Sequence, residues 1–337
     1  MLVRLIGKAN GVGLSRDLNL LDAGLGAAGC EVVQQPCDRR ERRRRRSLLS
    51  QVTSRLRLLN AGASQIRYDV NVMLEHVWPQ FLHQARYNVL VPNPEWFDRR
   101  DAALLARIDC IWAKTALTGQ IFRQRGCRTV HIGFDSEDRF DANVARNARF
   151  LHLAGRSELK GTTRLLTLWR RHPEWPLLTV VQDASAVKTT TGQSGANIVI
   201  ESEFLDDPAL RGLQNSNRFH LCLSEAEGWG HYIAEALSVG AVAITCDAAP
   251  MNELVSNQRG VLVAADPGPD HNLAKLSLFE TEALEAAISA VASMLPAQLA
   301  AMGHEARNWF VTNKREFPAR IQQAVADIEI ELRHRGP

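Results

Sequence analysis

Residues 219–255, FHLCLSEAEGWGHYIAEALSVGAVAITCDAAPMNELV, constrain the fold of this chain more than any other stretch. The apolar run at 219–223 is typical of a buried strand. A Gly-rich turn follows, then a helical pattern over 231–239 that ends at Gly240, a residue typical of helix C-caps. A second apolar run at 241–245 leads into a second loop and helix. Two strand–loop–helix units in tandem predict an α/β fold with a parallel sheet.

The two loops of this stretch are expected at the carboxyl edge of the sheet, where open α/β sheets bind ligands. Each loop leads into a helix N-terminus, and the free N–H groups there suit a phosphate or pyrophosphate. Glu227 precedes the first turn, and Glu235 lies eight residues further along, inside the helix. Both carboxylates are therefore expected to border one pocket and to accept hydrogen bonds from sugar or ribose hydroxyls. Taken singly, Glu235 could equally be a solvated helix residue and the glycines plain turn residues.

The sequence EGWG at residues 227–230, followed by EALSVG at 235–240, resembles the Glu-x7-Glu signature of retaining GT-B glycosyltransferases, family 4 in particular. This chain departs from the usual pattern at three places. Trp229 replaces the usual Phe, and residues 231–232 are His-Tyr where Leu-Pro is usual. Residues 248–253 read AAPMNE where many members carry a Gly-Gly loop before the Glu.

The resemblance implies an α/β fold with two Rossmann-like domains that face each other across a cleft. It also implies a C-terminal helix that crosses back to the first domain. We expect a first, acceptor-side domain at residues 1–138, a second, nucleotide-sugar-binding domain at 139–315 and the crossing helix at 316–337. The polar stretch at 133–139 breaks the alternation of strands and helices, and it divides the chain into domains of typical size.

The resemblance further implies roles for individual residues. Arg156 and Lys160 would bind the donor diphosphate, Glu227 would lie beside the transferred sugar, and Glu235 would hold the ribose hydroxyls. His76 follows a predicted strand at residues 69–74 and is a candidate for contacting the donor sugar. The alternatives are a salt-bridged surface pair for the two basic residues and a purely structural role for His76. The remaining donor-binding candidates are Gly228, Trp229, Gly230, His231, Pro250, Met251, Asn252 and Glu253.

A second Gly-rich turn follows the first predicted strand and reads GKANGVG at residues 7–13. Such a turn also resembles the cofactor loop of short-chain dehydrogenases, although a lone Gly-rich turn is a weak signal. That family needs a Tyr followed four residues later by Lys, which none of the three tyrosines of this chain has. We therefore interpret the turn as a cleft loop that touches acceptor or donor. The cleft candidates are Gly11, Val12, Gly13 and Asn93.

The implied reaction is transfer of a sugar from a nucleotide-sugar donor to an acceptor, with retention at the anomeric carbon. In such enzymes the acceptor is thought to attack from the face that the leaving group departs from, so Glu227 would orient and not act as a nucleophile. Arg156, Lys160 and backbone amides at 228–230 and 250–252 would stabilise the departing nucleoside diphosphate. No Asp-x-Asp motif occurs, so we expect neither a metal nor a further cofactor.

Composition is ordinary for a soluble protein, with 45% apolar and 23% charged residues among 337. The sequence has no run of about 18 apolar residues, as a transmembrane helix needs. The N-terminus lacks the apolar core of a signal peptide. Six cysteines without a C-x-x-C pair favour reduced thiols over a zinc site or disulfides. A cytoplasmic protein is therefore expected.

A run of basic residues at 38–46, DRRERRRRR, contains seven arginines. One interpretation is a solvated loop. Another is contact of Arg39–Arg46 with an anionic membrane surface or an anionic acceptor, such as a cell-envelope glycan or lipid-linked saccharide. No aromatic residue interrupts the run, and no nucleic-acid-binding motif accompanies it, so nucleic-acid binding is not expected.

Two other function classes stay open at the level of the sequence. One is another GT-B enzyme, such as a sugar-nucleotide epimerase, although those enzymes lack the spacing of Glu227 and Glu235. The other is a catalytically silent GT-B protein that binds a sugar nucleotide or a partner. The His-Tyr pair at residues 231–232 and the missing Gly-Gly loop keep this second class open.

Overall fold

The computed structural model describes residues 1–8, 13–37, 66–183 and 195–335. Three of the sequence-based predictions fall outside these residues, namely the cleft candidates Gly11 and Val12 and the basic run Arg39–Arg46. The chain divides into two compact units, of which the first comprises Met1–Phe134 and Glu316–Pro337 and the second Asp135–Arg315.

The first unit is built on a six-stranded sheet in which every strand pair is parallel. Its strands are β1 (Leu2–Gly7), β2 (Glu31–Pro36), β3 (Tyr68–Leu74), β4 (Ala85–Val91), β5 (Cys110–Ala113) and β6 (Thr129–His131). The order is β2-β1-β3-β4-β5-β6. From β1 the chain adds β2 on one side of the sheet, and from β3 onward it adds strands on the other side. The switch point, where parallel α/β sheets bind ligands, therefore lies between β1 and β3.

In the described part of this unit, the helices that follow its strands are α1 (Gly13–Ala27), α2 (Arg99–Ala102) and α3 (Ala116–Arg123). Helix α3 begins after Thr115, whose hydroxyl accepts the Thr118 N–H at 3.1 Å. Asp98 caps α2 in the same way with two accepted N–H groups. Side-chain oxygens thus satisfy amide groups that have no partner within a helix.

The second unit repeats this plan with a second sheet of six parallel strands. Its strands are β7 (Asn147–Gly155), β8 (Leu178–Gln182), β9 (Ile198–Glu201), β10 (Asn217–Cys222), β11 (Val242–Cys246) and β12 (Gly260–Val263). The order β12-β11-β10-β7-β8-β9 places the switch point between β7 and β10. Its helices are α4 (Thr162–Trp169), α5 (Asp207–Ser216), α6 (His231–Ser238), α7 (Met251–Leu254) and α8 (Thr281–Ser293).

An antiparallel hairpin follows β12, formed by β13 (Ala265–His271) and β14 (Ala274–Phe279). The sequence predicts a loop at 266–272, and that prediction is wrong. Pro267 and Pro269 are breaker signals, but here they lie on a strand with a single partner, where a missing N–H costs no central ladder bond. The pairing register shifts between Pro267 and Asp270, so the breakers coincide with the irregular part of the hairpin.

The C-terminal helix α9 (Pro296–His334) belongs to both units, since the division falls between residues 315 and 316. The predicted return of this helix to the first domain is confirmed. Among the described residues no single helix is long and apolar enough to span a membrane, while the bent pair α8 and α9 passes by length and composition alone.

Aromatic side chains form the centre of the second unit. Phe150 on β7 stacks on Phe219 of β10 with ring centroids 4.7 Å apart, and it meets Trp169 of α4 edge to face at 5.0 Å. All three side chains are buried. Fully burying a side chain of this size stabilises the fold by about 1.5–3 kcal/mol, so this contact fixes α4 against the two strands that flank the switch point.

The boundary between the units lies after Phe134, four residues before the expected end of the first domain at 138. Contacts of the intervening residues explain the shift. Asp138 pairs with Arg307 at 2.6 Å, and Asp135 pairs with Lys314 at 2.9 Å. Both partners lie in the second unit, so residues 135–138 belong there although their sequence is typical of a linker.

Candidate functional site

The switch point of the second unit brings together two of the sequence-predicted residues. Lys160 lies beyond the end of β7, and Glu227 lies beyond the end of β10. The Lys160 ammonium forms an ion pair with Glu227 Oε1. The two side chains are 16% and 15% exposed, so the pair is accessible from solvent yet largely desolvated. A cation and a carboxylate at this position can bind a ligand that carries both anionic groups and hydroxyls.

The backbone brings the two loops into contact at this point. The Glu225 N–H donates to the Leu159 carbonyl at 2.8 Å. Gly161, which precedes α4, adopts a positive φ of 67°. A Cβ at this residue would lie 2.8 Å from the Leu223 carbonyl oxygen, so the close approach of the two loops requires glycine.

Ser224 and Tyr232 surround the ion pair, and sequence reasoning did not identify either of them. Ser224 Oγ lies 2.5 Å from Glu227 Oε1 and 2.5 Å from the Tyr232 hydroxyl. The Lys160 ammonium lies over the Tyr232 ring, 3.4 Å from its centroid. The available signal was the departure from the family pattern at residues 231–232, where a tyrosine stands in place of an apolar residue.

The Gly-rich turn at 227–230 leads into α6 as predicted. Gly230 has a φ of 95° and precedes the first helical residue. The Trp229 indole is buried and donates to Ser136 Oγ at 3.1 Å, while His231 Nδ1 lies 2.8 Å from the same oxygen. Trp229 and His231 therefore anchor the turn to the start of the unit. Gly228 is also buried, so Glu227 is the one residue of this turn that is not fully buried.

Glu235 lies in a second polar cluster on α6. The residue is 5% exposed, and its carboxylate accepts a hydrogen bond from Gln214 Nε2 at 2.8 Å. Arg139 donates to the other end of the Gln214 amide at 2.8 Å. The buried Arg139 guanidinium also forms an ion pair with Asp207. Burial alone would lower the pKa of Arg139, but the hydrogen bond to Asp207 and the charge of Glu235 outweigh burial, so the pKa is raised. Glu235 is thus held in place by a chain of side chains.

Arg156 does not join the Lys160–Glu227 pair. It is 79% exposed and donates from Nε to Asp183 Oδ2 at 2.7 Å. This hydrogen bond raises the pKa of an already strong base. The arrangement is the salt-bridged surface pair that the sequence left open for Arg156, whereas Lys160 points to the carboxylate that the resemblance associates with the sugar.

The loop after β11 provides fewer free amide groups than expected. Pro250 has no N–H, and the Asn252 N–H already donates to the Ala248 carbonyl at 3.1 Å. Among the described residues the Met251 N–H makes no hydrogen bond, but the side chain of Met251 is fully buried. Glu253 lies in α7, which starts at Met251. The loop that lacks the Gly-Gly sequence therefore also offers fewer backbone N–H groups to a ligand.

The switch point of the first unit holds a separate cluster around His76. His76 Nδ1 lies 2.9 Å from Asp101 Oδ2, and Nε2 lies 3.3 Å from Glu75 Oε2. Glu75 adopts a positive φ of 67° and also contacts Lys8 at 3.5 Å. His76 is thus oriented from both ring nitrogens, the arrangement in which a buried imidazole keeps a fixed direction.

Two further cleft candidates lie near the strand ends of the first unit. Asn93 precedes a short 3-10 turn after β4 and is 9% exposed. Within the described residues its Oδ1 makes no hydrogen bond. Gly13 is the first residue of α1. The remaining two candidates of this group, Gly11 and Val12, lie outside the described residues.

Comparisons with known proteins concern the fold. No protein-family model matches this chain, and no curated protein matches it. Among solved structures, sucrose-phosphate synthase from Thermosynechococcus elongatus is similar with a TM-score of 0.71 and 13% identity, covering 98% of this chain and 100% of that chain. Anabaena HepE in complex with UDP-glucose is similar with a TM-score of 0.68 and 17% identity, again covering 98% and 100%.

A third similar structure is the pneumococcal O-GlcNAc transferase GtfA in complex with UDP and GlcNAc, with a TM-score of 0.59 and 13% identity. The match covers 82% of this chain, which spans only 59% of the length of that neighbour. The fold class predicted from the sequence, α/β with two Rossmann-like domains of the GT-B type, is confirmed by these likenesses and by the two sheets.

Proposed function

We propose that this protein is a glycosyltransferase that moves a sugar from a nucleotide-sugar donor to an acceptor. The observation that carries the proposal is the Lys160–Glu227 ion pair at the switch point between β7 and β10. The fold supports it, because the similar structures include one with UDP-glucose and one with UDP and GlcNAc. The resemblance of residues 227–240 to the Glu-x7-Glu signature supports it independently of the fold.

In this proposal the second unit stabilises the leaving nucleoside diphosphate. Lys160 supplies a positive charge, and the N-terminus of α6 supplies the positive end of a helix dipole. Loss of one such donor from a preorganised site lowers turnover by about a hundredfold or more. Arg156 takes part by exchanging Asp183 for a phosphate oxygen, since its side chain is 79% exposed and Asp183 is its ion-pair partner among the described residues.

Glu227 and Glu235 have different roles in the proposed reaction. Glu235 accepts hydrogen bonds from the ribose hydroxyls, and Gln214 fixes the direction of its carboxylate. Glu227 is an orienting and electrostatic group beside the transferred sugar, because its Oε1 is already engaged by Lys160 and Ser224. The proposed reaction proceeds with retention by same-face attack, in which the leaving phosphate takes the acceptor proton.

Several finer predictions from the sequence stay predictions. They are contact of His76 with the donor sugar, contact of Asn93 and Gly13 with acceptor or donor, and catalysis without a metal or further cofactor. A glycan or lipid-linked acceptor, contact of Arg39–Arg46 with an anionic membrane and a cytoplasmic location belong to the same group.

The test is a thermal-shift screen against UDP-, GDP-, ADP- and dTDP-sugars, first without metal and then with Mg²⁺. A ligand that binds the folded state raises its stability with the logarithm of saturation. We expect one nucleotide to stabilise the protein regardless of Mg²⁺, and Glu235→Ala to abolish the shift. Glu305→Ala is the matched control, since that carboxylate is 56% exposed on α9. No shift with any of the sugars would contradict the proposal.

Turnover of the stabilising donor separates an enzyme from a silent binder. We expect release of the nucleoside diphosphate in the presence of acceptor, and a product whose anomeric configuration by NMR equals that of the donor. Inverted configuration would contradict retention alone. Binding with no donor cleavage, even to water, would indicate a protein that binds a sugar nucleotide without catalysis.

A further inference from the structure

Ser224 and Tyr232 link helix α6 to the ion pair by a directed chain of hydrogen bonds. A carboxylate oxygen can only accept, so Ser224 Oγ donates to Glu227 Oε1 at 2.5 Å. A serine hydroxyl has one proton, so Ser224 Oγ must accept from the Tyr232 hydroxyl, also at 2.5 Å. The Tyr232 oxygen in turn accepts the Ser224 N–H at 3.0 Å. Each donor and acceptor of this chain is thereby assigned.

The same tyrosine also contacts the other half of the ion pair. The Lys160 ammonium lies 3.4 Å from the centroid of the Tyr232 ring, a cation–π contact. Burial raises the pKa of Tyr232 well above its ordinary value, and the nearby Cys222 and Glu227 raise it further. The hydroxyl therefore stays protonated and remains a donor over the whole working range of a protein.

The two bonds to Glu227 share one oxygen. Lys160 and Ser224 both engage Oε1, and within the described residues Oε2 makes no hydrogen bond. The side chain is 15% exposed. With one carboxylate oxygen fixed in this way, binding of a ligand hydroxyl to the other oxygen requires little further ordering of the side chain.

We propose that Ser224 and Tyr232 are positioning residues that hold Glu227 and Lys160 in place for the donor, the Tyr232 hydroxyl acting on Glu227 and the Tyr232 ring on Lys160. This inference rests on the proposed function, in which Glu227 faces the sugar and Lys160 the diphosphate. It follows that the Tyr232 hydroxyl affects recognition of the sugar through Glu227, and that the Tyr232 ring affects recognition of the diphosphate through Lys160. Removing the hydroxyl should weaken recognition of the sugar alone, while removing the ring should weaken binding of the diphosphate as well.

The experiment compares the binding of UDP and UDP-glucose by calorimetry in wild type, Tyr232→Phe, Tyr232→Leu and Ser224→Ala. For Tyr232→Phe and Ser224→Ala we expect UDP affinity within about twofold of wild type and UDP-glucose affinity lower by roughly tenfold, within the range of one lost hydrogen bond. For Tyr232→Leu we expect both affinities to fall. A general loss of packing would reduce both affinities in every variant, and Tyr232→Phe with wild-type affinity for both ligands would overturn the inference.

Tyr87→Phe is the matched control. Tyr87 lies on β4 of the first unit and is buried, and its hydroxyl is hydrogen-bonded to Glu331 at 3.0 Å. The control thus removes a phenol hydroxyl with a carboxylate partner away from the candidate site. We expect it to leave the ratio of UDP to UDP-glucose affinity unchanged, whereas an equal effect of Tyr87→Phe and Tyr232→Phe would overturn the inference.

A ligand-free measurement separates failure of this inference from failure of the proposed function. Urea unfolding of Ser224→Ala, Tyr232→Phe and the double variant forms a double-mutant cycle. We expect the double variant to be destabilised by less than the sum of the single variants, because both delete the same hydrogen bond. Additive effects would overturn the hydrogen-bonded chain. The cycle can be non-additive while the wild type binds neither UDP nor UDP-glucose. That result would support the hydrogen-bonded chain and count against the proposed function with uridine donors.

Discussion

Gly161 shows how one residue without a side chain permits the whole candidate site. It adopts a φ of 67°, and it lies where the loop after β7 approaches the loop after β10. The left-handed backbone and the 2.8 Å approach to the Leu223 carbonyl are two separate reasons for glycine. Lys160, the adjacent residue, reaches Glu227 because this approach is so close.

We predict that Gly161→Ala destabilises the protein by about 1–3 kcal/mol, through backbone strain and the contact with the Leu223 oxygen. The midpoint of urea unfolding would measure the loss. Gly212→Ala is the control, since Gly212 lies inside α5 and its added Cβ would meet nothing within 4 Å. For Gly212→Ala we expect the free energy of unfolding to rise by about 0.5–1 kcal/mol, because alanine is a better helix former than glycine. Equal stability of the two variants would contradict the conclusion that position 161 requires glycine.

The C-terminal helix α9 packs on the first unit through a stripe of apolar residues, which its overall composition does not reveal. From residue 316 onward it belongs to the first unit, and its buried side chains recur at helical spacing: Phe317, Ile321, Ala324, Val325, Ile328 and Leu332. Phe317 meets Phe134 edge to face, with ring centroids 5.4 Å apart. A single apolar stripe therefore attaches this part of the helix to the first unit.

We predict that Ile321→Ala destabilises the protein by about 2–5 kcal/mol, because Ile321 is fully buried and the truncation leaves a cavity. Ile330→Ala is the matched control on the same helix, since Ile330 is 51% exposed. We expect the control to change stability by no more than about 0.5 kcal/mol. Denaturant unfolding followed by far-UV circular dichroism would compare them, and equal losses would show that the stripe does not carry the packing.

At the scale of the whole molecule, buried histidines couple folding to pH. Burial lowers the pKa of His152 from 6.5 to about 4, and it lowers the pKa of His220 to about 4 as well. His152 remains neutral between the Leu221 carbonyl at 2.8 Å and the Thr162 hydroxyl at 2.9 Å. In the unfolded chain both imidazoles take up protons below about pH 6.5.

The unfolded state therefore binds more protons than the folded state between about pH 6.5 and pH 4, so stability falls as the pH falls through this window. We predict a loss of about 2 kcal/mol per histidine between pH 7 and pH 5. Urea unfolding at a series of pH values would measure it. His152→Gln should make the dependence shallower, while His304→Gln, at a side chain 73% exposed, should not alter it. A dependence unaffected by His152→Gln would contradict the argument.

Local sequence patterns predict the two parallel sheets, the loop–helix units and the positions of Glu227 and Glu235, because apolar periodicity and glycine turns act over a few residues. Strand β2 escaped notice, since its residues are mostly exposed at an edge of the sheet. Which charged side chains meet, in contrast, depends on the three-dimensional fold. Lys160 and Glu227 are 67 residues apart, and Arg156, four residues from Lys160, turns to Asp183 instead. Such pairing depends on which strands are neighbours and on how closely their loops approach, and neither is encoded in local spacing.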